Sequence, residues 1–255
     1  MQRINLYREP YNPANDCSLW WDARDYKFMV DDGGGVISSW KDRKAQLAIT
    51  AVTTARPTYS STSFNNTYPG MTFDGATDCL VTTTLTNFPT SSTAGFIAML
   101  FKQVTDQTGT MFSYGGTAAG TLRRITRNSA TPGRLTVSDA EQTLTDTSVS
   151  IASPNYFIGI GTWSGTTETG RINGAATSPG SKSLDTSLNT STTRARMGAN
   201  TAATAASFQN IIVAATMIGT TTDSTTLQKI EGYLAWNYGV VFILPDTHPY
   251  KMAPP

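Results

Sequence analysis

The chain has 255 residues, of which 39% are hydrophobic and 15% are charged, and its formal net charge is +1. A nearly neutral chain has no long-range attraction for nucleic acid or an anionic membrane, which excludes both as expected partners. The first residues lack the apolar core of a signal peptide, and no later stretch reaches the roughly 18 apolar residues of a membrane span. We therefore expect neither a secretion signal nor a membrane anchor.

Residues 1–17 are polar and include Pro10 and Pro13, which disfavour both helix and strand pairing. This segment is predicted to be an extended N-terminal arm, and residues 18–255 are predicted to form one β-sandwich domain. β-Sandwiches of roughly 200–250 residues commonly fold as a single domain. The arm's few apolar side chains have no place in a completed sandwich, so we predict that it attaches the protein to an assembly or to sister subunits.

From Leu19 onward, short apolar runs alternate with turn residues, a pattern typical of a β-sandwich. The runs Phe96–Phe101 and Ile211–Ile218 predict central strands that are buried on both faces. Between them, Tyr156–Trp163 predicts a third strand in which glycines allow aromatic rings to cover the backbone. Asn173-Gly174 predicts a tight hairpin, because both residues tolerate positive φ.

One helix is predicted, from Ser224 to Asn237, with Asp223 or Ser224 as its N-cap and Gly239 as its C-terminal stop. We expect Leu227, Ile230 and Leu234 to form its buried stripe. A proline-rich tail follows the helix.

Cys17 and Cys79 are the only cysteines. They could form one disulfide, but a disulfide scaffold of this size would normally carry more cysteines. Two buried thiols are the favoured interpretation.

Several short motifs follow one another in a characteristic order along the chain. They are Trp21-Asp22-Ala23 with Asp25, Trp40-Lys41-Asp42, Arg56-Pro57 with Tyr59, Met71-Thr72-Phe73-Asp74-Gly75 with Asp78 and Leu80, Lys229-Ile230-Glu231-Gly232-Tyr233-Leu234-Ala235-Trp236, and Leu244-Pro245 with His248-Pro249-Tyr250-Lys251. This order resembles the laminin-G-like members of the concanavalin A-like lectin and glucanase superfamily, especially those of bacteriophage virion proteins. The resemblance covers residues 19–252. It implies an all-β jelly-roll sandwich of two antiparallel sheets, and recognition of glycans or proteins or a role in virion architecture.

The same motif residues also have a purely structural interpretation. Large aromatic side chains bury much area, so core anchoring is favoured over ligand stacking for Trp21, Trp40, Phe73 and Trp236. Aspartates in turns commonly accept backbone amides, and this role is predicted for Asp22, Asp42, Asp74 and Asp78.

The sole histidine, His248, lies in the tail, which excludes Ser-His-Asp, Cys-His and multi-histidine metal sites. Glycosidases need only two carboxyl groups. The glucanases of the superfamily that the chain resembles carry a Glu-x-Asp-x-Glu strand, which this sequence lacks. Its nearest approach is Asp139-Ala140-Glu141. We therefore predict no catalytic residues and no enzymatic activity.

A calcium site at Asp31-Asp32, ahead of three glycines, is conceivable, but a flexible hairpin tip is the favoured interpretation. No phosphate-binding loop is present. The prediction is that the protein uses no metal and no cofactor.

The one cluster of positive charge comprises Arg123, Arg124 and Arg127, with Tyr114 in the preceding segment. These four residues are the predicted ligand-binding site, where forked hydrogen bonds and ring stacking could hold an acidic or phosphorylated glycan. The alternative, which is favoured on general grounds, is that the arginines are solvated strand charges that deter aggregation.

Taken together, the sequence predicts a non-enzymatic bacteriophage virion protein on the particle surface, as a capsid decoration, fibre or tail appendage. Its predicted partners are other virion proteins, further copies of itself and a host-surface glycan. The alternatives are a free-standing carbohydrate-binding lectin and, well behind it, a glycoside hydrolase of the same fold.

Overall fold

The computed structural model describes residues 11–52, 54–118, 120–128, 133–138, 143–153, 155–183, 189–200 and 208–255. Within these ranges the chain forms strands β1 to β17 and one α-helix, α1, which spans Ser224–Asn237. The strands, in chain order, are Leu19–Asp22, Met29–Asp31, Ile37–Lys41, Ala48–Ala51, Thr58–Phe64, Tyr68–Asp74, Leu80–Thr82, Gly95–Gln103, Gly109–Gly115, Leu122–Arg127, Arg134–Ser138, Thr143–Ser150, Asn155–Ser164, Thr167–Ile172, Ala175–Ser183, Arg194–Met197 and Asn210–Gly219.

The strands form two antiparallel sheets that pack face to face. The order in the first sheet is β15-β14-β13-β8-β17-β6-β5, and β1 also pairs with β17. The order in the second sheet is β12-β11-β10-β9-β16-β7-β4-β3-β2. The predicted all-β sandwich with one helix near the C-terminus is confirmed.

The centre of the first sheet consists of the three apolar strands predicted from the sequence. Phe96–Phe101 lies in β8, Tyr156–Trp163 in β13 and Ile211–Ile218 in β17. β8 lies between the other two, with Phe101 opposite Phe157 on β13. One face of these strands packs against the second sheet and the other against α1, which explains why their sequences are apolar without alternation.

Two local features of the sequence also take their predicted form. A Cβ atom at Gly161 would lie 3.1 Å from the Trp163 ring, so the missing side chain does let that ring cover the backbone. Asn173 and Gly174 have φ angles of +50° and +87° and connect β14 to β15. This is the backbone that a tight hairpin with the right-handed strand twist requires.

Helix α1 begins and ends where the sequence predicts. The Asp223 carboxylate accepts a hydrogen bond from the Thr226 amide at 2.8 Å and caps the helix, and Gly239 follows it with φ +65°. Leu227, Ile230 and Leu234 are buried against the first sheet. No helix among the described residues is long and apolar enough to cross a membrane.

The aromatic anchors are confirmed with one exception. Trp21, Trp40 and Phe73 are fully buried between the two sheets. Trp236 is 38% exposed, so its prediction as a core anchor is wrong. It follows Leu234 by two residues, which places it about 200° around the helix from that buried stripe. Its indole nitrogen instead donates to the Tyr250 carbonyl oxygen at 2.8 Å.

The predicted turn aspartates accept backbone amides. The Asp42 carboxylate accepts hydrogen bonds from the amides of Lys44, Ala45 and Leu47 at 2.7–2.9 Å. Asp22, Asp74 and Asp78 also accept from backbone amides, with distances of 2.8–3.1 Å. These side chains shape the loops between strands.

The first and last described residues meet on the outer side of α1. The Tyr11 amide donates to the Pro255 carbonyl oxygen at 3.2 Å, and the Tyr11 ring contacts Tyr233 edge-on with centroids 6.2 Å apart. Cys17 is buried, and both cysteines are free thiols. The predicted arm therefore differs from the structure over residues 11–17, which pack on the sandwich, while its residues 1–10 lie outside the described residues.

Candidate ligand-binding face

Two of the four predicted site residues point into the core. Tyr114 and Arg123 lie opposite each other on β9 and β10, and they are 1% and 0% exposed. Tyr114 packs among the hydrophobic residues between the sheets, and the Arg123 guanidinium lies 5.8 Å from the centroid of the Trp163 ring. The Tyr114 ring is therefore not presented to solvent as the predicted stacking surface.

The other two predicted residues separate to different faces. Arg127 is 5% exposed, and it donates to the Asp106 carboxylate at 3.0 Å and to the Ile151 carbonyl oxygen at 2.9 Å. Arg124 points to the outer face of the second sheet and is half-buried, with Nε donating to the Ser138 hydroxyl at 2.5 Å. Of the four, Arg124 alone lies on that outer face.

Strand alternation explains this division. Neighbouring residues of a strand face opposite sides of the sheet, so Arg123 and Arg127 share the inward side of β10 with Ile125. Ile125 is fully buried in the core between the sheets. An apolar residue midway between two arginines was the signal in the sequence that both would face inward.

The structure assembles a polar row that was not apparent from the sequence. Direct cross-strand partners place Ser138, Arg124, Ser113 and Arg196 side by side across β11, β10, β9 and β16. With strands about 4.8 Å apart, the row spans about 14 Å on the outer face of the second sheet. We call this the polar row.

A second set of hydroxyl groups runs beside the polar row. Thr126 on β10 lies opposite both Thr110 on β9 and Thr136 on β11. Ser and Thr hydroxyls both donate and accept hydrogen bonds, whereas arginine only donates. Thr110 and Thr136 are 3% and 4% exposed and Thr126 is half-buried, so most of these hydroxyls are covered.

The polar row is recessed, because the segment after β16 folds back over it. The Ser113 hydroxyl donates to the Ala199 carbonyl oxygen at 3.1 Å, and Arg196 Nη1 donates to the Asn200 carbonyl oxygen at 3.2 Å. Ser113 is fully buried and Arg196 is 8% exposed, while Arg124 is half-buried.

The described carboxylates serve mainly to hold loops. Asp74 and Asp78 accept each other's backbone amide, at 2.8 and 3.1 Å. Burial and the neighbouring Asp74 charge raise the pKa of Asp78 to about 6, whereas hydrogen bonds to backbone amides outweigh desolvation and lower the pKa of Asp74. The Asp139-Ala140-Glu141 segment lies outside the described residues.

The loop at Asp31-Asp32, which was considered as a calcium site, is held by its own hydrogen bonds. The Asp31 carboxylate accepts from the amides of Gly33 and Gly35 and from the Tyr26 hydroxyl, and Asp32 pairs with Arg56. In the part of the chain that the structure describes, no group of three or more His, Cys, Asp or Glu side chains is placed to hold a metal ion.

The sole histidine belongs to a buried charged cluster on the opposite side of the molecule. Glu231 of α1 accepts two hydrogen bonds from Arg171 of β14, each at 2.9 Å, and its Oε2 lies 3.3 Å from His248 Nε2. His248 Nδ1 accepts from the Tyr250 amide at 3.2 Å, so Nε2 carries the proton that faces Glu231. The cluster joins the helix, the first sheet and the tail, as a structural strap would.

This cluster was not predicted, although the sequence contains a signal for it. Glu231 follows Ile230 and precedes Leu234 on the inner side of the helix, and it is fully buried. A carboxylate beside an apolar stripe requires a partner, because glutamate is almost never buried unpaired.

No family model and no curated protein matches the chain. Solved structures do match by fold. A structure of Trypanosoma rangeli sialidase in complex with 2,3-difluoro-KDN aligns with a TM-score of 0.57 at 8% identity, covering 89% of this chain and 33% of the sialidase chain. A GH54 α-L-arabinofuranosidase soaked with a cyclic sulfate inhibitor aligns with a TM-score of 0.66 at 9% identity, covering 86% of this chain and 62% of the other.

An arabinofuranosidase complexed with arabinofuranosyl-α-1,2-xylobiose also aligns, with a TM-score of 0.59 at 10% identity, covering 77% of this chain and 50% of the other. This chain therefore covers only 33% to 62% of the length of these three neighbouring chains. At such low identity the likeness shows the fold alone, and no residue role transfers.

The comparisons correct one prediction. We predicted a protein without enzymatic activity, but the matching structures are a sialidase and arabinofuranosidases, which are enzymes. The lack of a Glu-x-Asp-x-Glu strand excludes one arrangement of catalytic carboxylates and does not extend to every enzyme built on a related fold.

Proposed function

We propose that this chain recognises carbohydrate through the recessed outer face of its second sheet. The observation that carries the proposal is the polar row, in which the side chains of Arg124, Ser113 and Arg196 lie side by side on three adjacent strands and Arg124 is the most exposed. Saccharides offer many hydroxyl oxygens, and a row of hydroxyl and guanidinium groups matches that chemistry. The neighbours of related fold that were solved with saccharide ligands give the proposal independent support.

A glycan array followed by titration of the best saccharide tests this proposal. Arg124→Ala should weaken binding by about tenfold to a hundredfold, because one hydrogen bond from a charged group is worth about 1.5–3 kcal/mol. Lys102→Ala is the matched control, since it removes a half-buried positive charge from the first sheet, on the side that packs beside Tyr156. Unchanged affinity in Arg124→Ala, or no saccharide bound at all, would contradict the proposal.

Release of reducing sugar from each bound saccharide should be measured in the same experiment. Hydrolysis would establish the domain as an enzyme that acts on the carbohydrate it recognises. Binding without hydrolysis would establish recognition by itself.

Membership of a bacteriophage virion, assembly with other virion proteins and with sister subunits, and the laminin-G-like relationship remain proposals that rest on the order of motifs in the sequence. Mass spectrometry of purified particles tests the first two, because a virion component must co-purify with the other particle proteins. A free-standing lectin would be absent from such particles.

A further inference from the structure

Arg196 is a buried arginine with no described carboxylate beside it. In the described ranges, ion pairs with carboxylates are formed by Arg24, Arg43, Arg56, Arg127 and Arg171. At 8% exposed, Arg196 is more buried than all of these except Arg127, yet no described carboxylate lies within ion-pair distance of it. Buried charges are normally paired, so this guanidinium calls for an explanation.

One edge of the Arg196 guanidinium has no partner within the described residues. Nη1 donates to the Asn200 carbonyl oxygen, whereas Nε is buried without a hydrogen-bond partner and Nη2 donates to no described residue. Nε and Nη2 form the edge of the guanidinium that can donate two parallel hydrogen bonds to one carboxylate or sulfate. That edge is the one left unused.

Positive charge is concentrated around this edge. Arg194 lies two residues before Arg196 on β16 and therefore on the same face of the sheet, opposite Gly115, which has no side chain. Arg124 lies on the same face two strands away, separated by Ser113. The pKa of Arg196 is lowered, first by burial and also by the positive charge of Arg194, while nearby Cys79 acts in the opposite direction. A bound anion would offset both the burial of the charge and the repulsion between the two arginines.

We propose that Arg196 and Arg194 form an anion subsite within the recess, which holds the carboxylate or sulfate group of an acidic saccharide. The inference rests on the proposed function and specifies its ligand class. The Nε–Nη2 edge of Arg196 binds the anionic group side-on, Arg194 adds a second positive charge, and the serine and threonine hydroxyls bind the neutral part of the sugar. With a net charge of +1, the chain has no long-range electrostatic attraction for a nucleic acid backbone.

Three oligosaccharides of equal length test the inference: a uronic acid oligomer, a sulfated oligomer and a neutral oligomer. Each is titrated calorimetrically into the wild-type protein, Arg196→Met and Arg194→Met. The wild type should bind at least one acidic oligomer roughly tenfold more tightly than the neutral one, and added salt should weaken only the acidic ligand. Arg196→Met should remove this preference by weakening the acidic oligomer more than the neutral one, and Arg194→Met should reduce the preference partly.

Two controls separate this inference from a structural effect. Lys102→Met removes a distant charge and should leave the preference intact, and thermal unfolding shows whether each variant is folded. Equal affinity of the wild type for acidic and neutral oligomers would overturn the anion subsite while leaving carbohydrate recognition standing. An equal loss for both ligands in folded Arg196→Met would likewise overturn it. Absence of binding to all three oligomers would overturn the subsite, and the glycan array then decides the proposed function separately.

Discussion

The two outer faces of the sandwich differ in composition and in what covers them. The outer face of the first sheet is apolar, and α1 and the tail cover it, forming a second hydrophobic core with Leu227, Ile230 and Leu234 at its centre. The outer face of the second sheet carries serine, threonine and arginine, and the segment after β16 covers it in part. Charge is neutralised on the first side, where Arg171 pairs with Glu231, and is left uncompensated on the second, at Arg196.

This contrast separates stability from recognition. A buried ion pair is satisfied by the protein itself, so breaking it should lower the free energy of unfolding. A buried charge without a partner stabilises nothing on its own, so removing it should affect ligand binding while the fold persists. The predictions below test that separation.

The largest effect is expected for Arg171→Met, which leaves Glu231 buried without its bidentate partner. The free energy of unfolding should fall by about 3–5 kcal/mol, the usual cost of leaving one member of a buried pair alone. Urea denaturation followed by far-ultraviolet circular dichroism measures this loss.

Arg196→Met is the matched substitution on the other face. It removes a guanidinium that leaves no described carboxylate unpaired, so the free energy of unfolding should change by less than about 1 kcal/mol. Equal losses in the two variants would remove the distinction between the faces.

The helix-covered face should also be sensitive to loss of apolar volume. Leu234→Ala removes a fully buried side chain from the stripe of α1 and should cost about 2–5 kcal/mol. The same denaturation experiment applies. Trp236→Ala, on the exposed side of the same helix, is the comparison and should cost less. A larger loss at Trp236 would show that the tail contact dominates over the buried stripe.

Gly174→Ala tests how closely the tail packs on the first sheet. A Cβ atom there would lie 2.7 Å from His248 Cδ2, and the backbone has φ +87°, so thermal unfolding should show a loss of about 1–3 kcal/mol. Gly165→Ala has a similar positive φ of +58° and nothing within 4 Å. A smaller loss of stability in Gly165→Ala than in Gly174→Ala would isolate the steric contribution of the tail. Equal losses in the two variants would mean that backbone strain alone is responsible.

The smallest effect concerns a loop carboxyl and depends on pH. Because burial and the Asp74 charge raise the pKa of Asp78 from 3.8 to about 6, the folded state binds its proton more tightly than the unfolded chain does. The stabilisation is present below about pH 4 and is lost as the pH rises through 6.

Asp78→Asn should therefore be more stable than the wild type at pH 8, by less than about 1 kcal/mol because the group is half-exposed, and equal to it near pH 4. Urea unfolding of both proteins at both pH values measures the sign of this stability difference. An advantage that is larger at pH 4 would contradict the assignment.

The local elements of this fold could be predicted because their signals are local. The bounds of α1 follow from a capping aspartate and a left-handed glycine, and the turn at Asn173-Gly174 follows from two residues that tolerate positive φ. Central strands such as β8 have apolar residues on both faces because both faces are covered, and this is visible in one short run of sequence.

The site could not be predicted in the same way, because it depends on which strands become neighbours. Arg124 and Arg196 are separated by 72 positions in the sequence, and the pairing of β9 with both β10 and β16 brings them to one row. Clustering in sequence was misleading here, since Arg123, Arg124 and Arg127 divide between two faces. Trp236 shows the same difficulty on a helix, where its motif suggested burial but its angular position placed it outside.

The hydrogen bond between Tyr11 and Pro255 also determines how the domain can be displayed. Both residues lie on the side covered by α1, since the Tyr11 ring contacts Tyr233 of that helix. A surface tether or fusion partner joined near either residue would attach the sandwich through the side covered by α1. The polar row, on the outer face of the second sheet, would then point away from the support. Several copies tethered in this manner would present their recesses in parallel, and a polymeric saccharide could engage more than one of them at once.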